Sequence, residues 1–232
     1  MLAAILAAAG RGSRLGGEVA KGLRELAGRP LYAYSLEPLC ALPQLAGVWL
    51  VVPQAAVDQV ACAVQAARST GVQVHVVAGG EERQDSVALA LREIPPSVPL
   101  VLVHDAARPF ASAQLFQSCA AAARAHGAAI AAVPATDTVK WVEDHVVVRT
   151  LDRTRTWLAQ TPQVARADWL RDAIARAQEL RLSFTDEASL LEYFGYRVHV
   201  VRGEERNRKL TTPEDWAWAE WAVTQMQLEQ PK

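Results

Sequence analysis

Short apolar runs of β-like composition alternate with helical patterns along most of this 232-residue chain, and that alternation narrows the available folds more than any other feature. Leu2 to Ala8, Val48 to Pro53, Val72 to Ala78, Leu100 to His104 and Ala129 to Val133 read as strands. Between and after them, Pro30 to Ala41, Ala55 to Arg68, Asp85 to Arg92 and Ala111 to His126 read as helices, the first opened by a proline. Such an order implies an α/β fold, a parallel sheet covered by helices on both faces. Strands buried on two faces need abundant apolar material, and 51% of the residues are hydrophobic.

The pattern breaks from Ala135 to Val164. "TDTVKWVE", "HVVVRTL" and "LAQTPQV" are extended pieces with a hairpin-like turn near Glu143 to His145 and no helical period. This stretch is expected to be a β-arm inserted in a single domain spanning residues 1–232. A two-stranded ribbon cannot bury both faces alone, so the arm is expected to pack on a second copy of the chain in a homodimer. Helices at Ala167 to Leu180 and Asp186 to Tyr193, a strand at Arg197 to Val201 and a last helix from about Pro213 to Met226 complete the order. Trp216, Trp218 and Trp221 cluster in that last helix, where they are expected to pack or to meet another subunit.

Charge excludes some partners. Lys and Arg number 24 against 25 Asp and Glu, a formal net charge of −1, which offers no footprint for nucleic acid or an anionic membrane; any anion site must be local. Cys40, Cys62 and Cys119 show no disulfide or metal spacing and are expected to be small core residues in a reducing cytoplasm. No run approaches the roughly 20 apolar residues of a membrane span. Leu2 to Ala9 lacks a basic leader and runs directly into Gly10, so this opening is expected to be structural.

Phosphate chemistry is expected at the first strand's end, because open α/β sheets bind ligands at their strand carboxyl ends. Gly10-Arg11-Gly12-Ser13-Arg14 fits neither G-x-G-x-x-G, which meets Leu15, nor a P-loop, since Gly17 precedes Glu18. Small residues there would let backbone N–H groups approach a triphosphate while Arg14 and Lys21 add charge. A turn with solvated arginines is the competing reading. "VHDAARPF" then puts Asp105 at the end of a buried strand on the same edge, where a carboxylate can hold Mg2+ against phosphate oxygens or cap the next turn.

These stretches, with "GGEERQDSV", "TDTVK", "LDRTRTW…TPQ", "TDEAS" and "NRKLTTPED" in the same order, resemble the 2-C-methyl-D-erythritol 4-phosphate cytidylyltransferases of the non-mevalonate isoprenoid pathway over nearly the whole chain. The resemblance implies a Rossmann-like nucleotidyltransferase sheet with an inserted β-arm. It implies that Ala8, Ala9, Gly10, Gly12, Arg14 and Lys21 surround the phosphates and sugar of CTP, and that Gly80, Glu81 and Ser86 read cytosine and ribose. By the same carry-over Asp105 ligates Mg2+ and Arg108 lies near the sugar-alcohol phosphate acceptor. Thr138, Arg153 and Lys209 position that acceptor, and Thr161 and Thr185 help to bind it. In the family the arm crosses to the partner subunit, so Thr138 and Arg153 would serve the partner's site. The chain departs from the family pattern at Ala20, before Lys21, and at Ala7, where proline is usual; neither change removes a charge or a donor.

Transfer of CMP to a phosphate monoester needs no strong base, since the acceptor's second pKa is about 6 and it is largely dianionic at neutral pH. The barrier is the approach of two anions, which calls for cations at the α-phosphorus and aimed delivery of the nucleophile. Arg14, Lys21 and Mg2+ suit the first task, Arg153 and Lys209 the second. His104 is expected to be a buried, hydrogen-bonded neighbour of Asp105 rather than a catalyst, and no histidine pair has zinc spacing. Two other readings share the glycine loop: a cytidylyltransferase acting on ribitol 5-phosphate or another polyol phosphate, and a non-enzymatic nucleotide-binding module.

Overall fold

The computed structural model describes residues 1–10, 12, 20–66 and 71–229. The opening run forms β1 (Leu2–Ala7), and a β2–β3 hairpin (Glu25–Leu26, Arg29–Pro30) leads into α1 (Leu31–Cys40). Next come β4 (Leu45–Val52), α2 (Val57–Ala66), β5 (Val74–Ala78), α3 (Arg83–Glu93), β6 (Leu100–Asp105), α4 (Ala113–His126) and β7 (Ala128–Pro134). The exposed hairpin β8 (Lys140–Glu143) and β9 (Val146–Thr150) precedes β10 (Trp157–Arg166), α5 (Ala167–Glu179), α6 (Glu187–Tyr193), β11 (His199–Arg202) and α7 (Pro213–Glu229).

Seven strands make the central sheet in the order β11-β7-β10-β6-β1-β4-β5. Side chains two apart share a face, and that parity divides the core into two apolar layers. Leu2, Ala4 and Leu6 pack in one layer with Leu39 of α1, Val60 of α2 and Phe116 of α4; Ala3 and Ile5 pack in the other with Leu91 of α3 and Leu170 of α5. Burying a side chain the size of Phe116, which is fully enclosed, contributes about 1.5–3 kcal/mol. Local signals set helix ends: Ser112 accepts from the N–H of Leu115 to open α4, and Gly127, at φ +93°, closes it.

From β1 the chain moves outward through β4 and β5, then returns to β6 on the other side of β1. Reversal of strand order opens a crevice at the carboxyl ends. In that crevice Ala7 of β1 lies opposite Asp105 of β6.

The expected arm, 135–164, is shorter in the structure. Residues 140–150 stand out as a hairpin, but β10 enters the sheet between β6 and β7, antiparallel to both. Val164 and Ala165 are taken up by opposite core layers, so both faces of this strand are covered. "QTPQ" concealed it: Gln160, Thr161 and Gln163 are buried with their hydrogen bonds met internally. One smaller expectation also changes. Cys62 is exposed on α2, whereas Cys40 and Cys119 are buried as expected. Trp216 and Trp218 pack against the cluster around Phe110 and Leu210, but Trp221 is exposed.

Candidate active site

An open pocket of about 320 Å³ lies at the ends of β1, β5 and β6. Ala8, Ala9, Gly10, Gly12, Lys21, Gly80, Glu81, Ser86, Asp105 and Lys209 all line it, though they come from segments far apart in sequence. Arg14 lies outside the described residues. Gly12 has φ +62°, and a Cβ there would stand 2.8 Å from the Cβ of Lys21, so this close approach to the lysine calls for glycine. Ala20 sits at φ −53°, ψ 135°, within the range a proline ring would fix, so the backbone at this one position takes a proline-like conformation without the ring.

The late segment of the chain completes the pocket. Leu210 N–H donates to the carbonyl of Ala107 at 2.8 Å, which lays residues 207–210 across the end of β6. From there the Leu210 carbonyl accepts from Lys21 Nζ at 2.6 Å, and Lys209 Nζ donates to Asp105 Oδ2 at 2.7 Å. Asp105 Oδ1 accepts from Arg83 Nε at 2.9 Å, and the two terminal nitrogens of Arg83 clamp Glu187 at 2.8 and 2.9 Å. Two carboxylates and two cations thus form a neutral cluster. Burial opposes ionisation of Asp105, but Arg83 and Lys209 outweigh it and hold the carboxyl well below the usual carboxylate range.

A turn fixes the other wall. Ser86 Oγ accepts from Gly80 N–H and donates to the Glu82 carbonyl, both at 3.1 Å, so its hydroxyl shapes the 79–86 turn. Glu82 and Asp85 form a reciprocal capping box at the start of α3.

Five expected acceptor residues do not line this chain's pocket. Arg108 is not among the lining residues and donates to the carbonyls of Asn207 and Ala159, bracing the turn after β6 against β10. Thr161 is buried beneath Asp105, accepting from the Asp105 N–H at 3.0 Å and bonding His104 Nδ1 at 2.9 Å. His104, whose Nε2 lies 3.1 Å from the Arg108 carbonyl, is pushed down to about 4 by burial, so it is neutral at neutral pH and serves as support, as expected. Thr138 and Arg153 are exposed beside the hairpin, outside this chain's pocket, and Thr185 is exposed ahead of α6. Replacing Thr161 by valine strands buried partners, and we expect a loss of about 1–3 kcal/mol for each group left unpaired. Urea unfolding checks this; an unchanged midpoint contradicts it.

Sequence reasoning missed Arg83 and Glu187, although both lie in stretches it quoted. The available signal was position: Arg83 opens α3, where the helix dipole favours acids, so a cation there calls for a dedicated carboxylate.

Residues 2–225 match the family described as IspD, 2-C-methyl-D-erythritol 4-phosphate cytidylyltransferase. The chain belongs to that family. The 2-C-methyl-D-erythritol 4-phosphate cytidylyltransferase of Pelotomaculum thermopropionicum is 40% identical over 223 residues, covering 96% of this chain and 94% of its own. A 4-diphosphocytidyl-2C-methyl-D-erythritol synthase from Anaerococcus prevotii superposes with TM-score 0.84 at 29% identity, over 96% of this chain and 98% of that one. The Thermus thermophilus cytidylyltransferase superposes with TM-score 0.76 at 33% identity, over 97% and 100%. Membership makes the chain a nucleotidyltransferase, and the Rossmann-like sheet is the family's fold.

Proposed function

We infer that the pocket at Asp105 is where this enzyme moves CMP from CTP to 2-C-methyl-D-erythritol 4-phosphate, releasing pyrophosphate and forming 4-diphosphocytidyl-2-C-methyl-D-erythritol. One observation carries the reading: Lys21, Lys209 and Asp105 converge at the switch point of the sheet, beside small residues that leave room for a triphosphate. Ala8, Ala9, Gly10 and Gly12 flank the phosphates, and the turn of Gly80, Glu81 and Ser86 faces the nucleoside. Lys21, with Arg14, meets the charge that develops at the α-phosphorus. Lys209 holds the acceptor phosphate, together with Arg153 and Thr138 from a second copy.

Mg2+ fits this donor set. Among the described residues no group of three or more His, Cys, Asp or Glu is placed to hold a metal, so Asp105 would bind with at most one further such protein ligand. That is the ligation Mg2+ accepts when phosphates and water supply the rest. Bound there, it would neutralise phosphate charge and activate the α-phosphorus.

The hairpin supplies the reason for a dimer. Trp141, Val142, Val146 and Val148 on it, and Trp157 and Leu158 beside it, are exposed, an apolar surface that one chain leaves uncovered. A second subunit that covers it brings Arg153 to the partner's pocket. No helix among the described residues is long and apolar enough to cross a membrane.

Pyrophosphate release tests the reading directly. It should require CTP, methylerythritol phosphate and a divalent ion, stop after EDTA treatment and dialysis, and resume with Mg2+. A base pocket that loses hydrogen bonds to a wrong edge should prefer CTP over UTP by a wide margin. Comparable kcat/KM for the two, equal turnover of ribitol 5-phosphate, or undiminished activity without metal contradicts it.

A further inference from the structure

We propose that Arg83 is a positioning residue for the Asp105 carboxylate, with buried Glu187 as the counter-ion that allows it to act so; the inference rests on reading Asp105 as the Mg2+ ligand. Arg83 lines the pocket, yet its charge is not offered to phosphate. Both terminal nitrogens are held by the two oxygens of Glu187, and Nε is aimed at Asp105 Oδ1. A two-point clamp fixes the guanidinium plane, and the third bond fixes the carboxylate.

Glu187 is the first residue of α6, and its side chain is only 7% exposed. It is held in register by its neighbours. Asp186 caps α6 through the Ser189 N–H at 2.9 Å and accepts from Gln163 of β10, also at 2.9 Å. From the other side, Gln84 of α3 donates to the Leu182 carbonyl and accepts from the Phe184 N–H. Segment 182–187 therefore ties the nucleotide-side turn, β10 and Asp105 into one unit.

The oxygens of Asp105 are held differently. Oδ1 is bound to a cation that is itself tied down, whereas Oδ2 is bound to Lys209, whose side chain is 39% exposed and lines the pocket. Glu187 also cancels the charge of Arg83, leaving Asp105 attractive to a divalent cation. Neutralising Glu187 leaves a bare guanidinium 2.9 Å from the proposed metal carboxylate, which repels the ion but not a triphosphate.

Two opposite responses follow and separate this role from simple support. The probe is Mn2+ with CTP, read by water-proton relaxation enhancement, which distinguishes enzyme-bound Mn2+ from Mn2+ on free nucleotide; CTP binding in EDTA is measured by calorimetry. Glu187→Gln should raise the Mn2+ Kd about tenfold, the scale found when a residue supporting a metal ligand is lost. Its CTP affinity in EDTA should be unchanged or higher. Arg83→Lys keeps the charge and loses the fork, so it should also weaken Mn2+ about tenfold, and it decides the matter if Glu187→Gln does not fold. An unchanged Mn2+ Kd in a folded variant, or an equal loss of metal-free CTP binding, overturns the proposal. Mn2+ binding indifferent to Asp105→Asn overturns the metal reading and this inference with it. Binding that needs Asp105 but ignores Glu187 and Arg83 overturns the inference alone.

Discussion

Lys21→Ala and Asp105→Ala each lower turnover by about 10² to 10³, the cost of removing one preorganised charge from a transition state. Lys21 approaches the pocket with its ammonium already located by the Leu210 carbonyl, so little reorganisation is needed when phosphate arrives. On the proposed role, its loss takes charge from the α-phosphorus without leaving a cavity in the core. Asp105→Ala frees Lys209 and removes the proposed Mg2+ ligand, while Arg83 keeps Glu187 as partner, so the variant retains a balanced interior. Circular dichroism should match wild type in both. Near-normal turnover in either contradicts the site assignment.

The second large effect is recovery of activity from two damaged chains. Lys21→Ala and Arg153→Ala, each nearly inactive alone, are co-refolded in equal amounts. Where the arm of one subunit completes the site of the other, a mixed dimer holds one doubly damaged site and one intact site. Half of randomly paired dimers are mixed, so about a quarter of wild-type activity returns. Where Arg153 serves its own chain, every site carries one lesion. An inactive mixture with heterodimers verified by mass spectrometry rules out the exchanged arm.

Much of the architecture was legible because parallel strands buried on both faces leave continuous apolar runs, as in Leu2 to Ala8 and Leu100 to His104. The pocket residues were legible where chemistry is written locally, in Gly10, Gly12, Lys21 and Asp105. β10 was not, because its polar residues look solvated until their buried partners are known; Gln160, for example, bonds the backbone of Glu204. Arg108 has a part that was equally hidden: beside any role toward a ligand, its guanidinium meets two backbone carbonyls, which no local pattern announces. The pairing of Arg83 with Glu187 joins residues 104 positions apart, beyond the reach of any local pattern.

The bond from Lys21 to Leu210 spans 189 positions, and Lys209 reaches Asp105 from the same late segment. A nascent chain has its glycine loop early, yet the Lys21–Leu210 and Lys209–Asp105 bonds form once residues 209 and 210 have left the ribosome. At about 5–20 residues per second that delay is roughly 10 to 40 s. Fragments that stop short of this segment carry the glycine stretch without the carbonyl that Lys21 meets or the lysine that meets Asp105, so premature termination yields chains with an unfinished pocket.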